Sequence, residues 1–491
     1  MVQQESYGRR LTTLAAQHGD ATAAWLAAVD DEETAISWRE LESWSNRTAR
    51  LLAARGVGQD DLVVLGIPNS LEHLAASFGA WKLGAPVLSL RWDLPAWERD
   101  RLLGVAGGKV VVADWEDVEG AVRSADVRAA DGDDSPLPDR VAAYSRLVAS
   151  SGSTGTPKII VTPKPAVYDP ADPASQAVGD AGSVTLGASP LYHTNGFASC
   201  YPPLLAGQQV VLMERFDAAR AVELIERYRV TATILVPTML QRIARLPDID
   251  SRDLSSLQRV VYGGASLPEW VARKWLSLIP PERFQIMYGG SELIGMTVCT
   301  GRDWLERPGT VGPPVGCEIL ILDEDRRPLP PREVGQIWMR RLDTTEEPFR
   351  YVGVDTPQPI LDGYRTFGDM GYLDEDGWLY IADRRQDMII SGGANVFPAE
   401  VEAALSDHPA VNDVVVIGVP DPEWGHRVHA VVEPTDAADP PDPEQLRAWA
   451  KERLAPYKVP KTVEYVERMP RTAAGKVNRT RLAEERTPST T

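Results

Sequence analysis

The sequence has little cysteine, no excess of positive charge and no long apolar run. Its three cysteines, Cys200, Cys299 and Cys317, are far apart and form no CxxC pattern, which argues against a disulfide framework and a cysteine-rich zinc site. Because no run of 18 apolar residues or apolar leader occurs, we expect a cytoplasmic protein that does not enter a membrane. The formal net charge of −19 disfavours nucleic acid as a partner.

The chain is long enough for more than one hydrophobic core, at 491 residues. Alternating strand-like and helix-like segments at 62–90 and 184–278 predict α/β units with parallel strands. Short strands and hairpin turns follow residue 315. A polar stretch at 382–387 predicts a break, and the residues after it show their own alternation. The sequence therefore predicts a large domain at 1–385 and a small α+β domain at 386–491.

The stretch 149–158, AlaSerSerGlySerThrGlyThrProLys, is a candidate phosphate-binding loop. Its glycines allow close backbone approach, while N–H groups, hydroxyls and a lysine can contact phosphate oxygens. It reads GxxGxxK and therefore differs from the GxxxxGK[ST] of P-loop nucleotidases. On composition alone, a solvated linker is an equally good interpretation. The apolar run at 159–161 predicts a strand directly after it.

Further motifs favour the phosphate-binding interpretation. After the loop come ProLeuTyrHisThrAsnGlyPhe at 190–197, ValTyrGlyGlyAla at 261–265, TyrGlyGlySerGlu at 288–292, TyrArgThrPheGlyAspMetGly at 364–371, a long motif at 383–396 and ArgThrAlaAlaGlyLysValAsnArg at 471–479. In this order they resemble the adenylate-forming superfamily over nearly the whole chain. That superfamily comprises acyl- and aryl-CoA synthetases, adenylation domains of nonribosomal peptide synthetases, and firefly-type luciferases.

The resemblance implies an α/β fold and a reaction in two steps. The large N-terminal domain would contain mixed and parallel sheets with flanking helices and a small barrel-like subdomain. A small mobile α+β domain would follow, with a hinge near Gln386. In the first step a carboxylate attacks the α-phosphate of MgATP, which gives an acyl-adenylate and pyrophosphate. In the second a nucleophile, most often the thiol of CoA, takes the acyl group.

The resemblance also assigns nucleotide contacts to individual residues. Tyr288 would lie on the adenine face, Asp369 would accept both ribose hydroxyls, and Arg384 would also reach the ribose. The phosphate loop would comprise Ser150, Ser151, Gly152, Ser153, Thr154, Gly155, Thr156 and Lys158. The backbone beside the adenine and the acyl group would be formed by Gly263, Gly264, Ala265, Gly289, Gly290 and Ser291.

Three residues are candidates for the chemistry itself. Glu292 matches the magnesium ligand, since one carboxylate with phosphate oxygens is a common Mg²⁺ site. Lys476 matches the lysine that bridges the reacting carboxylate and the α-phosphate. His193 matches a residue that gates the acyl pocket. Taken singly, the three could instead be a helix-start carboxylate, a solvated loop charge and a packed core histidine.

The acceptor of the acyl group has two candidates. The stretch 391–402 resembles acyl-, aryl- and bile-acid-CoA ligases, with Gly393 on the pantetheine tunnel and Trp424 under the adenine of CoA. Gln386, however, stands where the family generally has aspartate or lysine, and Val459 stands where some aryl-CoA ligases have an arginine on a CoA phosphate. These departures weaken the CoA step more than the adenylation step. Two smaller departures from the family pattern are Ser291, where threonine is usual, and Ile159, where glycine is common.

Three functions therefore stay open. The leading one is a carboxylate–CoA ligase. A stand-alone amide ligase that passes the acyl group to an amino acid is the alternative, and a non-catalytic binder of nucleotide or acyl-adenylate is disfavoured. We expect no carrier-protein domain in the chain. The carboxylic acid would lie near Tyr168, His193, Thr194, Asn195, Gly264, Gly289, Gly290 and residues 294–296, where small residues leave room for an aryl, cyclic or medium-length acid.

Overall fold

The computed structural model describes residues 4–30, 32–151, 157–171, 182–342, 347–361, 363–473 and 475–487. The α-helices of these ranges are α1 Tyr7–His18, α2 Trp38–Ala54, α3 Leu71–Lys82, α4 Ala96–Ala106, α5 Ser124–Arg128, α6 Thr194–Leu205, α7 Ala218–Tyr228, α8 Pro237–Ala244, α9 Glu269–Leu278, α10 Gly301–Glu306, α11 Pro398–Ser406, α12 Pro443–Lys451 and α13 Arg479–Glu484. Short 3-10 helices occur at Ile249–Ser251, Pro281–Arg283 and Pro456–Lys458.

The strands of the first half are β1 Glu5–Ser6, β2 Thr22–Ala27, β3 Glu33–Ser37, β4 Val63–Gly66, β5 Val87–Ser89, β6 Val110–Ala113, β7 Arg146–Ser151, β8 Pro157–Val161, β9 Val167–Tyr168, β10 Val184–Gly187, β11 Gln209–Met213, β12 Ala232–Leu235 and β13 Arg259–Tyr262. Those of the second half are β14 Phe284–Gly289, β15 Met296–Thr300, β16 Thr310–Gly312, β17 Pro314–Val315, β18 Cys317–Leu322, β19 Gly335–Arg341, β20 Arg350–Val352, β21 Asp369–Leu373, β22 Leu379–Arg384, β23 Ile389–Ser391, β24 Ala394–Val396, β25 Val411–Asp421, β26 Gly425–Pro434 and β27 Thr462–Tyr465.

Two large sheets form the body of the N-terminal part. The first has the order β17-β15-β14-β13-β12-β10-β11-β2-β3, and the run from β14 to β2 is parallel. The second has the order β20-β8-β7-β5-β4-β6, with β7 to β6 parallel and β8 antiparallel to β7. Buried helices, including α3 and α6, pack between them in one apolar core. The predicted α/β class is confirmed.

Two smaller sheets complete the fold. The antiparallel sheet β16-β22-β21-β19-β18 corresponds to the small subdomain. The C-terminal part has the sheet β24-β23-β26-β25, with β27 beside β26, and a core that includes Val401, Val416 and Val432. The predicted large N-terminal and small C-terminal parts are both present. None of the helices in the described ranges is long and apolar enough to cross a membrane.

Local sequence explains where several elements begin. The α2 helix starts at a capping box, because the Ser37 hydroxyl accepts from the Glu40 N–H at 3.2 Å while the Glu40 carboxylate accepts from the Ser37 N–H at 2.8 Å. The α7 helix is capped by the Asp217 carboxylate, which accepts from the Arg220 N–H at 2.9 Å. Both helices begin where the sequence predicts.

The predicted break at 382–387 is partly wrong. The β22 strand continues through these polar residues to Arg384, and Arg384 is paired with Asp369 at the start of β21. Pairing with a neighbouring strand thus overrides the local polar composition. The register places two charged residues side by side at the edge of the cleft between the large and small domains.

The small domain contacts the large one through α8. The Gln241 side-chain amide donates to the Asn412 carbonyl at 2.8 Å, and the Arg245 guanidinium donates to the Ser406 carbonyl at 3.1 Å. These bonds fix one orientation of the small domain over the C-terminal ends of the parallel strands. In an open α/β sheet this end is where ligands bind.

Candidate functional site

Asp369, which the sequence predicts to bind the ribose, lies in a cluster with Tyr288 and Arg384. Its carboxylate accepts a hydrogen bond from the Tyr288 hydroxyl at 2.8 Å and lies 3.5 Å from Nε of Arg384. Burial raises the pKa of Asp369, opposed by the charge of Arg384 and by the bond from Tyr288. The structure thus brings together three residues that the sequence assigns to the nucleotide. A carboxylate held in this way can accept bonds from a pair of ligand hydroxyls.

Glu292 belongs to a second cluster, next to the phosphate-loop candidate. Its Oε1 accepts a hydrogen bond from the Tyr351 hydroxyl at 2.8 Å and lies 3.5 Å from Nζ of Lys158. The Lys158 ammonium also lies 3.8 Å from the centroid of the Tyr351 ring. Desolvation lowers the pKa of Lys158, while the charge of Glu292 opposes that change. Both contacts use Oε1, so Oε2 has no partner among the described residues.

The sequence does not point to Tyr351. It lies on β20, outside every motif, and reaches Glu292 because β20 pairs with β8 in the register Tyr351 to Ile160. The β8 strand directly follows the phosphate-loop candidate. Only this long-range pairing reveals the tyrosine, and no local pattern in the sequence marks it.

Two motif glycines are required by close packing. A Cβ at Gly263 would lie 2.7 Å from the Met287 carbonyl oxygen, and one at Gly290 would lie 2.4 Å from the Phe367 ring. A side chain at Gly263 would push the turn after β13 away from β14, and one at Gly290 would push the turn after β14 away from the Phe367 ring. Ala265 follows Gly263 at the exposed end of β13. The glycines thus let these turns approach the cleft closely.

The N-terminal end of α6 faces the same cleft. The Thr194 hydroxyl shares a hydrogen bond of 2.6 Å with the Ser291 hydroxyl, which joins α6 to the turn after β14. The serine that replaces the usual threonine therefore keeps a hydroxyl contact. Gly264 lies close to Asn195, since a Cβ there would be 4.0 Å from the Asn195 side-chain nitrogen.

His193 directly precedes α6. Its backbone N–H donates to the Pro190 carbonyl at 3.0 Å. Burial lowers its pKa to about 3, with further lowering by the charges of Lys476, Arg91 and Arg146. The histidine therefore lies within the electrostatic reach of residues from the small domain and from β7. Burial and these three cations all favour the neutral ring.

Lys476 reaches the cleft from a constrained loop of the small domain. Gly475 has φ +75°, and a Cβ there would lie 2.3 Å from the Thr238 hydroxyl of α8. The Arg471 guanidinium donates to both Asp413 carboxylate oxygens, at 2.6 and 2.9 Å, and to the Gly475 carbonyl at 3.0 Å. Glycine lets the loop lie close to α8 of the large domain, and the ion pair holds the loop against β25 of the small domain.

The charge of Lys476 acts on the cleft. Desolvation lowers its pKa, helped by the charge of Arg384 and opposed by that of Glu292. The side chain is still exposed, so it can meet a ligand. The structure therefore collects Lys476, Glu292 and Arg384, which lie far apart in the sequence, around one cleft.

The predicted CoA residues lie on another face of the small domain. Trp424 is half-buried, with the Lys461 ammonium 4.4 Å from its ring centroid, and its carbonyl accepts from the Gly392 N–H at 2.9 Å. Gly393 has φ +80°, and a Cβ there would meet nothing within 4 Å. In this orientation neither residue joins the cluster at Glu292.

Part of the predicted phosphate loop, residues 152–156 with Gly152, Ser153, Thr154, Gly155 and Thr156, lies outside the described residues. Ser150 and Ser151 end β7, which pairs with β8. Within the described ranges no group of three His, Cys, Asp or Glu side chains could hold a metal ion. A magnesium site here would thus rest on Glu292 together with oxygens of the nucleotide, a donor set that suits Mg²⁺.

Comparison with known proteins places this cleft in a family. The AMP-binding enzyme model matches residues 11–346, and its C-terminal domain model matches residues 400–476. A feruloyl-CoA synthase of Amycolatopsis sp is 34% identical over 466 residues, which cover 92% of this chain and 94% of that protein.

Two solved structures have the same fold. The o-succinylbenzoate CoA synthetase MenE from Bacillus subtilis, solved with the acyl-adenylate OSB-AMP, is 27% identical with a TM-score of 0.80 and 98% coverage of both chains. The amide bond synthetase McbA from Marinactinospora thermotolerans is 27% identical with a TM-score of 0.76, covering 98% of this chain and 99% of that one. The chain belongs to the AMP-binding enzymes, the adenylate-forming superfamily that its motifs resemble.

Proposed function

We propose that this chain is an ATP-dependent carboxylic acid–CoA ligase that forms an acyl-adenylate and then an acyl thioester. The observation that carries the proposal is the position of Lys476. The small domain delivers this lysine to a cleft that also contains Glu292 and Arg384. Relatives named as CoA ligases support the thiol as acceptor.

In the first half-reaction, Lys476 would neutralise charge on the acid and the α-phosphate as the new bond forms. A positive charge placed in advance costs no reorganisation at the moment of reaction, which is why such groups lower barriers. Arg471 and Asp413 hold the loop that carries the lysine. They would therefore position Lys476 without touching the substrate.

The remaining clusters would hold the nucleotide. Asp369 would accept the ribose hydroxyls, with Tyr288 beside the adenine and Arg384 at the sugar. Glu292 would bind magnesium through its unpartnered Oε2, and Lys158 would face the phosphates. The metal would supply charge neutralisation on the triphosphate. One carboxylate is enough, because Mg²⁺ usually takes most of its ligands from phosphates and water.

In the second half-reaction, the small domain would turn about a hinge near Gln386, and we propose the division 1–385 and 386–491 on that basis. The turn would bring Gly393 to the cleft. Its open Cβ position supports a role in a passage for the pantetheine arm. Trp424, already beneath the Lys461 ammonium, would stack on the adenine of CoA.

The amide ligase stays the second candidate. A neighbour of this fold is an amide bond synthetase. Gln386 stands where the family generally has aspartate or lysine, and Val459 stands where some aryl-CoA ligases have an arginine. In that case the adenylate would react with an amine, and Trp424 would have no role in turnover.

Pyrophosphate release separates these functions. A panel of aryl, cyclic and aliphatic acids is incubated with enzyme and MgATP, first without acceptor, then with CoA, then with an equimolar mixture of amino acids. We expect release with one class of acid and a thioester only with CoA. Amide product without CoA dependence would establish the alternative, and an absence of pyrophosphate exchange with every acid would make the chain a binder.

We also propose a cytoplasmic location. All three cysteines are free and buried, which suits a reducing compartment. Fractionation of cells with an antibody to the chain tests this, and recovery in a membrane or secreted fraction would contradict it.

A further inference from the structure

The α8 helix has one polar side that contacts the small domain. Thr238, Gln241 and Arg245, the last at the C-cap, follow one another at spacings that place them along one side of a helix. We call these three residues the α8 docking face. The helix begins directly after the parallel strand β12, at the end of the sheet where ligands bind. Its other side is buried in an apolar core of the large domain, through Met239, Leu240, Ile243 and Ala244.

Two members of the α8 docking face contact the small domain next to its catalytic loop and its central sheet. The Gln241 side-chain amide donates to the Asn412 carbonyl of β25 at 2.8 Å. Gly475 lies against Thr238, since a Cβ on this glycine would be 2.3 Å from the Thr238 hydroxyl oxygen. The bond from Gln241 ends on a backbone carbonyl, so a substitution on α8 removes it and one at Asn412 does not.

Arg245 contacts the end of a small-domain helix. Its guanidinium donates to the carbonyl of Ser406, the last residue of α11, at 3.1 Å. The last carbonyls of a helix have no partner within it and carry partial negative charge, so a cation is favourable there. The Trp270 ring of α9, whose centroid lies 4.8 Å from Cζ, contacts the guanidinium from the large domain. Desolvation lowers the pKa of Arg245 and the charge of Asp413 opposes this, so a second small-domain group also attracts the arginine.

These contacts connect to the loop that carries Lys476. Asn412, whose carbonyl accepts the bond from α8, is followed by Asp413 in β25. Both carboxylate oxygens of Asp413 accept hydrogen bonds from Arg471, at 2.6 and 2.9 Å. Arg471 also donates to the carbonyl of Gly475 at 3.0 Å, directly before the lysine. A continuous series of contacts therefore runs from α8 of the large domain, through β25, to Lys476.

We propose that the α8 docking face positions Lys476 for adenylate formation, with Gln241 and Arg245 as positioning residues that do not touch the substrate. This assignment rests on the proposed function and adds residues of the large domain that act in its first half-reaction alone. In the proposed second half-reaction the small domain turns away from α8, so these bonds contribute nothing to acyl transfer. The two half-reactions therefore respond differently to their loss.

The test compares single-turnover rates of acyl-adenylate formation and of acyl transfer from supplied adenylate to the acceptor. The double variant Gln241→Ala with Arg245→Met should form adenylate at least ~10-fold more slowly, because fewer molecules hold the lysine in place, and transfer should stay within about twofold of the wild type. Arg245→Lys keeps a cationic donor and should stay within about twofold in both steps. The control Arg242→Met removes an exposed arginine of the same helix and should change neither rate. Equal loss in both steps, or a smaller loss of adenylate formation in the double variant, would overturn the assignment.

A distance measurement separates failure of this assignment from failure of the proposed function. Spin labels on Arg273→Cys in α9 and Lys451→Cys in α12, both exposed positions, report the separation of the two domains. If no acid gives an adenylate, the proposed function fails, and a narrow distance distribution that broadens in the double variant would still support the α8 docking face. An unchanged distribution in that case would overturn it as well. If acids are activated and the double variant keeps the adenylation rate of the wild type, the assignment is overturned while the function stands.

Discussion

Replacing Tyr351 tests whether the cluster at Glu292 is the phosphate and magnesium site. Tyr351→Phe removes the hydroxyl that donates to Glu292 at 2.8 Å and keeps the ring that lies under Lys158. Tyr351→Leu removes both. We expect both variants to lose kcat/KM for MgATP, because the carboxylate and the ammonium would each lose a support beside the phosphates.

The structure sets the size of each loss. A hydrogen bond to a charged group contributes about 1.5–3 kcal/mol, which corresponds to roughly 10- to 150-fold in kcat/KM for Tyr351→Phe. A cation–π contact at a partly desolvated site contributes about 0.5–2 kcal/mol, so Tyr351→Leu should lose roughly a further 2- to 30-fold. The two variants thus separate the hydroxyl from the ring.

The assay is pyrophosphate release at saturating acid over a range of MgATP concentrations. Tyr364 is a matched control, because its hydroxyl donates to Glu318 at 2.7 Å and its ring lies 4.9 Å from the Arg340 guanidinium, away from the cleft. Tyr364→Phe should affect stability and leave kcat/KM for MgATP unchanged. The reasoning is refuted if Tyr351→Phe stays within twofold of the wild type, or if Tyr364→Phe loses as much.

Three further predictions follow from other clusters. Lys476→Ala should slow acyl-adenylate formation at least ~100-fold while sparing transfer from supplied adenylate, and equal loss in both steps, measured in single turnovers, would contradict its role. Trp424→Ala should raise KM for CoA and not for ATP. The control Trp449→Ala removes a tryptophan whose ring centroid lies 3.5 Å from Cζ of Arg453, and it should change neither KM. If the two variants have the same KM for CoA, Trp424 is not part of the CoA site. His73→Gln should reduce the loss of folding stability at acid pH. The pKa of His73 is about 3 in the folded state and 6.5 in the unfolded state, so the unfolded state is protonated first as the pH falls. The free energy of unfolding of the wild type therefore falls below pH 6.5, by about 2 kcal/mol at pH 5. Urea unfolding at pH 7 and pH 5 measures this loss of free energy of unfolding. A variant that loses as much between the two pH values as the wild type would refute the prediction.

Local signals predicted the elements that depend on local interactions. The amphipathic segments 218–228 and 269–278 predict two helices, and the strand-like runs 209–213 and 259–262 predict two strands. The structure has α7, α9, β11 and β13 with these bounds. The acidic, Pro- and Gly-rich composition of 114–140 predicts an exposed loop within this stretch, and it does not indicate the short helix α5 that the structure has there. The end of β22 was missed because its residues are polar. There the partner strand, and not the sequence, decides the conformation.

The candidate site shows the same difference between residues that the sequence identifies and residues that only the fold brings to the cleft. Residues in motifs, such as Asp369, Glu292 and Lys476, could be found because the order of the motifs along the chain carries the signal. Tyr351 lies in a strand without a motif and becomes informative only through what the fold places opposite it. Its role depends on a pairing between strands that are distant in sequence, which no local pattern encodes.

The proposed hinge shows how a departure from the family pattern can be compensated by its surroundings. Gln386 is neutral, but carboxylates stand on both sides of it. Asp383 accepts from the Ala399 N–H at 2.8 Å, at the start of α11, and Asp387 lies 3.7 Å from Nε of Arg479. Burial raises the pKa of Asp383 to about 6 and raises that of Asp387. The Asp383 bond links β22, the strand that leaves the large domain, to α11 of the small domain, and the Asp387 pair holds the segment after Gln386 to α13. Neither contact uses a charge at position 386.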